Sequence, residues 1–418
     1  MTAVSETTQP PTSADFNSIR WTHQYPDVAA HQVRASAYTD PAYFELERER
    51  MFKKVWLYVG REERVANPGD YLVRDIEVAG ASIIVVRGRD GRLRAFHNVC
   101  THRGNKLLAD RGGSCKQITC IFHGWAFKLD GSLSGVPGER QFHEFDKADH
   151  GLTPVSVDVW DGFVFVHLDR EPAQTLADYI GPMAADMAGF PFHTMTKQYR
   201  YTSTFRANWK LGVDAFQEFY HVGFIHQQSI GETVHNAANP NSSALLIKIY
   251  DRHRMFSGYG NTGYQPSAVD MVSFKAGMSI TNLLSSEDGK KAIHPPGLNP
   301  TGSDTWSFDL NVVFPNFIIF RYAGGMYLTH QFWPVAVDKV TYEVTVNFVE
   351  PSTPGELFSR QQTAITARDS LLEDLFTLEQ TQKGLESGVL DVLPLQDNEM
   401  TIRHGAKMVD DYVTGRRS

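Results

Sequence analysis

Two cysteine–histidine couples are the sequence feature that most limits how this chain folds and what it binds. Cys100 and His102 form one couple with a single residue between them, and Cys120 and His123 form the other with two residues between them. Residues 103–119 separate the couples. Thiolates and imidazoles are metal ligands, so two sulfur and two nitrogen donors on paired segments predict a metal site held by two loops.

Zinc and a Rieske-type [2Fe–2S] cluster both accept two sulfur and two nitrogen ligands. Zinc sites usually group both cysteines in one knuckle and both histidines on a helix, whereas each segment here provides one of each. In a Rieske cluster two cysteines hold one iron and two histidines hold the other, which fits the mixed couples better. Gly104 and Gly124 suit tight turns around a cluster. The third cysteine, Cys115, has no evident partner, so a disulfide framework is excluded.

Composition predicts a globular protein with more than one domain. A chain of 418 residues exceeds what one hydrophobic core usually organises. A hydrophobic content of 42% and a charged content of 21% are ordinary for globular proteins, and a net charge of −8 without a basic block argues against nucleic acid as a partner. The N-terminus lacks the features of a signal peptide, and no run reaches about 18 apolar residues. We therefore expect a cytoplasmic protein without membrane contact.

Strand and helix patterns divide the chain into three parts. Short β-branched runs punctuated by glycine, aspartate and proline follow an N-terminal helix and predict a small antiparallel all-β domain. The later sequence is first helical, then alternating between 306 and 348 as in a half-buried sheet, and then helical again from 363 to 386. The expected parts are an N-terminal tail with its helix at 1–56, an all-β domain at 57–168 and a mixed domain at 169–418.

A second set of candidate ligands lies in the string NWKLGVDAFQEFYHVGFIH. If the string is helical, Asp214, Glu218 and His221 share one face, because they are three, four and seven residues apart. His226 would point away on a continuous helix. We expect Gly223 to end or bend the helix and bring His226 back beside His221, so that two histidines share one ion.

The third ligand is expected to be a carboxylate. Two histidines and one carboxylate on one face of non-haem Fe(II) leave open positions for oxygen and substrate. At about 100° per residue, Asp374 falls on the apolar face of the late helix with Leu371, Leu375 and Leu378, while Glu373 points to the opposite side. Because a buried carboxylate needs a partner, Asp374 is the predicted ligand.

Both motifs resemble those of one family. CTHRGN and CIFHGWAF are similar to the Rieske motif of ring-hydroxylating oxygenases, and NWKLGVDAFQEFYHVGFIH resembles the mononuclear-iron motif of the same enzymes. The resemblance implies an α+β fold, in which an all-β Rieske [2Fe–2S] domain is inserted near the N-terminus of a helix-grip catalytic domain with an antiparallel sheet. It implies ligands for two cofactors: Cys100, His102, Cys120 and His123 for the cluster, and His221, His226 and Asp374 for Fe(II).

The resemblance also implies an activity and partners. The chain would be the large (alpha) subunit of a terminal oxygenase, an oxidoreductase that uses O2 and electrons from a separate ferredoxin or NAD(P)H-dependent reductase to hydroxylate an apolar, aromatic or polycyclic substrate. Head-to-tail homotrimers are implied, with a small beta subunit left open. Glu218 would link the cluster ligand His123 of one subunit to the iron site of its neighbour.

Two residues and two functional alternatives stay open in the sequence. A glutamate at 218, where aspartate is more frequent, is typical of a subset of the family that includes enzymes demethylating quaternary amines. The first alternative is therefore oxidative demethylation or monooxygenation of a quaternary amine or a methoxy compound. Asp214 is expected either to face the substrate or to support one of the histidines. The second alternative is a Rieske electron-transfer or redox-sensing protein without catalysis.

Overall fold

The computed structural model describes residues 20–281 and 295–417. Its contacts divide the chain into two units, of which one interrupts the other near the N-terminus: an all-β unit at 45–179 with 412–418, and a mixed unit at 1–44 with 180–411. The predicted α+β class is confirmed. The predicted boundary positions stay a prediction. Within the described ranges, none of the helices combines the length and the apolar character that a membrane crossing needs.

The all-β unit consists of two antiparallel sheets. Its strands are β1 Leu57–Arg61, β2 Asp70–Ile76, β3 Ala81–Arg87, β4 Leu93–His97, β5 Gly112–Ser114, β6 Ile118–Thr119, β7 Ala126–Phe127, β8 Leu133–Gly135, β9 Pro154–Trp160 and β10 Phe163–His167. Seven of them form one sheet in the order β1-β10-β9-β4-β3-β2-β5, and the other three form the sheet β6-β7-β8. These strands follow the β-branched runs of the sequence, because valine and isoleucine fit a half-buried pleated surface.

A seven-stranded antiparallel sheet is the centre of the mixed unit. Its strands are β11 Lys197–Phe205, β12 Leu246–Tyr250, β13 His253–Tyr259, β14 Trp306–Val313, β15 Phe317–Tyr322, β16 Met326–Ala336 and β17 Lys339–Phe348. They lie in the order β11-β17-β16-β15-β14-β13-β12. The return of strands between 306 and 348 was predicted. Strands β11 and β13 fall in the part of the chain that was expected to be helical.

The described residues also form ten α-helices. In chain order they are α1 Trp21–Gln24, α2 Pro26–Ala29, α3 Pro41–Glu47, α4 Leu176–Ile180, α5 Met183–Met187, α6 Trp209–Ala215, α7 Val222–Ile225, α8 Ala268–Ala276, α9 Pro354–Glu386 and α10 Met400–Val413. Helix α9 begins before the predicted position 363, because the Thr353 hydroxyl accepts a hydrogen bond from the Glu356 N–H and caps it. It ends at Glu386, as predicted.

Candidate metal centres and substrate cavity

Two loops of the all-β unit have the same backbone pattern around the cysteine–histidine couples. In each loop the glycine four residues after the cysteine donates its N–H to the cysteine carbonyl, at 2.9 Å for Gly104 and 3.0 Å for Gly124. The cysteine N–H in turn donates to the carbonyl five residues later, at 2.8 Å in both loops. Both glycines have a left-handed backbone, with φ of 76° and 70°. Glycine adopts this conformation without strain, so the two turns follow from the sequence.

The side chains of these loops fit a cluster with mixed ligands. Cys100 and Cys120 are buried, and burial together with the neighbouring Cys120 raises the pKa of the Cys100 thiol. The rings of His102 and His123 lie with their centroids 4.7 Å apart. The Nδ1 atom of His102 is buried and has no hydrogen-bond partner among the described residues. A buried nitrogen without a partner is costly, and a metal ligated through Nδ1 would satisfy it.

His221, His226 and Asp374 come together in the mixed unit. Their ligand atoms all lie within 4.8 Å of one another. The Oδ1 atom of Asp374 is 3.6 Å from His221 Nε2 and 3.4 Å from His226 Nε2. This oxygen is buried and has no hydrogen-bond partner among the described residues. The three groups therefore fit one divalent ion, and two histidines with one carboxylate are the set that suits non-haem Fe(II).

Each of the two histidines also bonds, through its Nδ1 atom, to a glutamate of its own. His221 Nδ1 bonds to Glu218 Oε1, and His226 Nδ1 bonds to Glu373 Oε2 at 2.6 Å. A carboxylate accepts a hydrogen bond from an Nδ1–H, so these contacts place the ring proton on Nδ1 and leave Nε2 free to bind a metal. Glu373 is also fixed by the hydroxyl of Ser229, which donates to it over 2.7 Å.

The position of Glu373 corrects the helical projection. The projection placed Asp374 inward and Glu373 on the opposite side, but Glu373 bonds to His226. Its long side chain bends back toward the iron site, and the side chain remains 30% exposed. Sequence reasoning considered Glu373 as the neighbour of the predicted ligand but gave it no role at the site.

The single helix predicted for the iron motif is wrong. Helix α6 ends at Ala215 and helix α7 begins at Val222, so an irregular turn separates them. Gly223 lies inside α7 and does not end the helix. The chain bends before His221, and this turn brings His221 and His226 to the same ion site.

The early end of α6 also bears on Asp214, which was expected either to face the substrate or to support one of the histidines. Asp214 does not line the cavity described below; it accepts hydrogen bonds from the Tyr38 hydroxyl at 2.7 Å and from Gln217 Nε2 at 2.9 Å. Burial raises the pKa of Asp214 to about 6, against the opposing effects of Tyr38, Arg254 and Lys210. The catalytic role predicted for Asp214 is untested, and its contacts support a positioning role for the turn that carries Glu218.

A cavity of about 630 Å³, including its open mouth, lies beside the candidate iron ligands. Its walls are mostly aromatic and aliphatic, and they include Phe216, Phe219, Phe308, Phe320, Tyr322 and Leu328. The lining also contains Glu218 together with the three candidate iron ligands, and no lysine or arginine among the described residues. An apolar cavity with few polar groups is typical of a site for a small molecule.

Two family models match the chain. The Rieske [2Fe–2S] domain matches residues 55–147, and the catalytic domain of the ring-hydroxylating alpha subunit matches residues 192–415. These matches confirm the predicted cofactor types, a [2Fe–2S] cluster and non-haem iron. The assignment of individual residues to each cofactor stays a prediction, which the distances above support.

The chain is also similar in sequence to oxygenase subunits of known proteins. The oxygenase subunit of carnitine monooxygenase from Escherichia coli (strain K12) is 40% identical over 198 residues, which are 47% of this chain and 52% of that protein. The large subunit of anthranilate 1,2-dioxygenase from Acinetobacter baylyi (strain ATCC 33305 / BD413 / ADP1) is 32% identical over 267 residues, 61% of this chain and 54% of that protein. The chain thus spans about half the length of these curated relatives.

A solved structure of a quaternary ammonium Rieske monooxygenase has the same fold. The alignment covers 97% of this chain and 100% of that chain, with a TM-score of 0.74 and 23% identity. The family model, the curated relatives and the fold agree with the resemblance of the two motifs. The chain therefore belongs to the ring-hydroxylating alpha-subunit family.

Proposed function

We propose that this chain is the terminal oxygenase for a small quaternary amine, into which it inserts one oxygen atom. The electrons come from a separate ferredoxin or NAD(P)H-dependent reductase. The proposal selects the alternative that the sequence left open over the apolar aromatic or polycyclic substrate that the resemblance first implied. Similarity to carnitine monooxygenase supports this choice, and the similarity to anthranilate 1,2-dioxygenase is lower in identity.

The lining of the cavity is the observation that carries the proposal. Its aromatic rings present faces that attract a cation, and Phe219 and Phe308 pack with ring centroids 4.6 Å apart. Glu218 adds a carboxylate to the same lining. A quaternary ammonium is large, apolar on its surface and positively charged. It therefore matches aromatic walls that carry Glu218 beside the candidate iron ligand Asp374, and no lysine or arginine among the described residues, better than an anion does.

His221, His226 and Asp374 would hold the iron, which when bound supplies the activation of O2. Glu218 and Glu373 keep the two imidazoles in one orientation and tautomer through their Nδ1 atoms. The apolar walls exclude water from the reacting carbon and position it. The chain's own residues thus bind and orient the substrate and hold protons at defined nitrogens.

The overall reaction balances with two external electrons. Substrate, O2, two electrons and two protons give a hydroxylated substrate and water. If the new hydroxyl lies on a carbon bonded to the ammonium nitrogen, the C–N bond then breaks, and a tertiary amine, an aldehyde and one proton are released. We assign electron arrival to a contact between His123 of one copy and Glu218 of a neighbouring copy in a homotrimer, as the resemblance implies.

Dioxygenation of an aromatic acid is the second candidate function. The apolar aromatic lining and the similarity to anthranilate 1,2-dioxygenase favour it. The absence of lysine and arginine from the described lining argues against it, because an aromatic acid is a net anion and no cationic side chain of that lining would balance its charge.

Product analysis separates these functions. Purified protein is supplied with a surrogate reductase, NADH and 18O2, and is tested on quaternary amines, arenes and aromatic acids. We expect a tertiary amine and an aldehyde, or a hydroxylated amine with one labelled oxygen, from the quaternary amines alone. Two labelled oxygens on a ring would replace the proposal with ring dioxygenation. Reduction and reoxidation of the cluster without any product would favour the electron-transfer or sensing alternative.

A further inference from the structure

One polar nitrogen of the cavity is not used by the iron site. His330 lies on β16, lines the cavity and is only 1% exposed. Its Nδ1 atom bonds to the Tyr342 hydroxyl at 2.6 Å. Its Nε2 atom is buried and has no hydrogen-bond partner among the described residues. Buried polar atoms are nearly always paired, and the cavity that His330 lines has room for a partner of this nitrogen.

Burial decides the protonation state of this histidine. It lowers the pKa of His330 to about 3, so the imidazole is neutral near pH 7. Burial also raises the pKa of Tyr342, so the phenol keeps its proton. A phenol is a good donor and a neutral imidazole nitrogen is a good acceptor, so the Tyr342 O–H donates to Nδ1. The ring proton is then on Nε2, and His330 presents an N–H donor without an acceptor.

The groups around His330 suit a small cation that has an ammonium group at one end and an oxygen at the other. The rings of Phe216 and Phe320 lie 5.2 and 4.9 Å from the His330 ring, centroid to centroid. Leu328 occupies the next inward position on β16, where it pairs with Phe320. Aromatic faces for an ammonium group and a donor for an oxygen thus lie side by side in the same cavity.

We propose that His330 is a specificity-determining residue, whose Nε2–H donates a hydrogen bond to a carboxylate or hydroxyl oxygen of the substrate. The inference rests on the proposed function and narrows its substrate class to quaternary amines that carry an oxygen acceptor. Simple alkyltrimethylammonium ions would leave the donor unpaired. A site with a buried donor discriminates against a ligand that lacks the acceptor.

Two substitutions test the donor without changing the size of the side chain greatly. His330→Asn retains an amide near the Nδ1 position, where it can bond to Tyr342, but has no donor near Nε2. His330→Gln places an amide N–H near the Nε2 position. Binding is measured by calorimetry on the oxidised, non-turning-over holoprotein. The two ligands are a trimethylammonium alkanoate and the alkyltrimethylammonium ion of the same chain length.

We expect the unmodified protein to bind the alkanoate about 10- to 100-fold more tightly than the alkyl ion. His330→Asn should remove this preference by weakening only the alkanoate, and His330→Gln should restore most of it. Intact cluster absorption and an unchanged melting temperature show that each variant is folded. If a variant does not fold, Tyr342→Phe replaces it, since loss of the phenol proton donor should reduce the same preference.

The outcomes separate this inference from the proposed function. Equal affinity of the unmodified protein for both ligands, or a preference that survives in His330→Asn, would overturn the role of His330 and leave the amine oxygenase in place. Failure of the unmodified protein to bind either ligand would overturn the proposed function, and the role of His330 with it.

Discussion

The cluster loops and the candidate iron site each contain two histidines, but the ring nitrogen that is left without a hydrogen bond differs between His102 and the pair His221 and His226. In the cluster loops, the buried Nδ1 of His102 has no hydrogen-bond partner among the described residues. In the mixed unit, both Nδ1 atoms are bonded to glutamates, and the Nε2 atoms of His221 and His226 face Asp374. In the proposed iron site, a carboxylate on Nδ1 thus leaves Nε2 for the metal, whereas in the proposed cluster site His102 has no such carboxylate on Nδ1.

The two sites also differ in how far apart their ligands lie in the sequence. Each cluster loop is a short segment with its own glycine turn, and its ligands are two or three residues apart. The iron site joins a turn near residue 221 to helix α9 near residue 374, and three acids surround its two histidines. A local site depends on a few backbone turns, whereas the iron site depends on the packing of distant segments. A substitution in one site should therefore remove its metal centre and leave the other metal centre intact.

The largest difference between the two sites is expected in the variant Asp374→Ala. Loss of the only carboxylate of the three-residue set should remove the mononuclear iron and reduce turnover to background, while the visible absorption of the cluster stays unchanged. Asp369→Ala, an exposed acid on the same helix, is the matched control and should retain activity. Turnover in the Asp374 variant at the rate of the control would remove Asp374 from the iron site.

The opposite result, loss of the cluster with retention of the mononuclear iron, is expected from Cys100→Ser. The variant should lose the visible absorption of the cluster and all reductase-dependent turnover, but it should still bind iron at the site in the mixed unit. Cys115→Ser is the control, because Cys115 is a free cysteine outside the two couples. Cluster absorption that survives in the Cys100 variant, or is lost in the Cys115 variant, would contradict the ligand assignment.

The two glutamates give a smaller and more discriminating effect. Glu218→Gln and Glu373→Gln each replace a charged acceptor on an Nδ1–H by a neutral one, so each should weaken iron binding by about 10- to 100-fold. Glu218→Gln should in addition slow electron transfer from the cluster. Single-turnover kinetics with saturating iron measure this step. Equal rates in the two variants would contradict the bridging role of Glu218.

The smallest effect is expected from Asp214→Asn and concerns stability. The pKa of Asp214 is raised from its usual value to about 6, so the unfolded chain releases this proton at a lower pH than the folded chain. The free energy of unfolding of the unmodified protein should therefore fall as the pH rises from 5 to 7. The fall should be about 1 kcal/mol larger than in the variant, which lacks this titrating group. The acid lies among Tyr38, Gln217, Arg254 and Lys210.

Urea unfolding at the two pH values measures this difference. Asp369→Asn, which changes an exposed acid, is the control and should show the same pH dependence as the unmodified protein. A variant at position 214 with the pH dependence of the control would mean that Asp214 titrates normally.

The same contrast explains what the sequence predicted. Both cluster loops were predicted with their turns, because Cys100, Cys120 and their glycines specify the backbone locally. In the iron motif the face shared by Asp214 and His221 was wrong, since helix α6 ends at Ala215 and no glycine or proline marks that end in the sequence. Glu373 was given no role because a helical projection treats its long side chain as a fixed vector. The partner of His330 depends on strand pairing across the sheet, which no local pattern records.

Iron and acid-labile sulfide, measured per chain in the unmodified protein and in Asp374→Ala, show whether the protein holds a mononuclear iron beside its cluster. We predict about three irons and about two sulfides in the unmodified protein, and about two of each in the variant, since a [2Fe–2S] cluster holds two irons. About two irons in both proteins would contradict a mononuclear iron site at His221, His226 and Asp374. About three irons in the variant would place the third iron elsewhere.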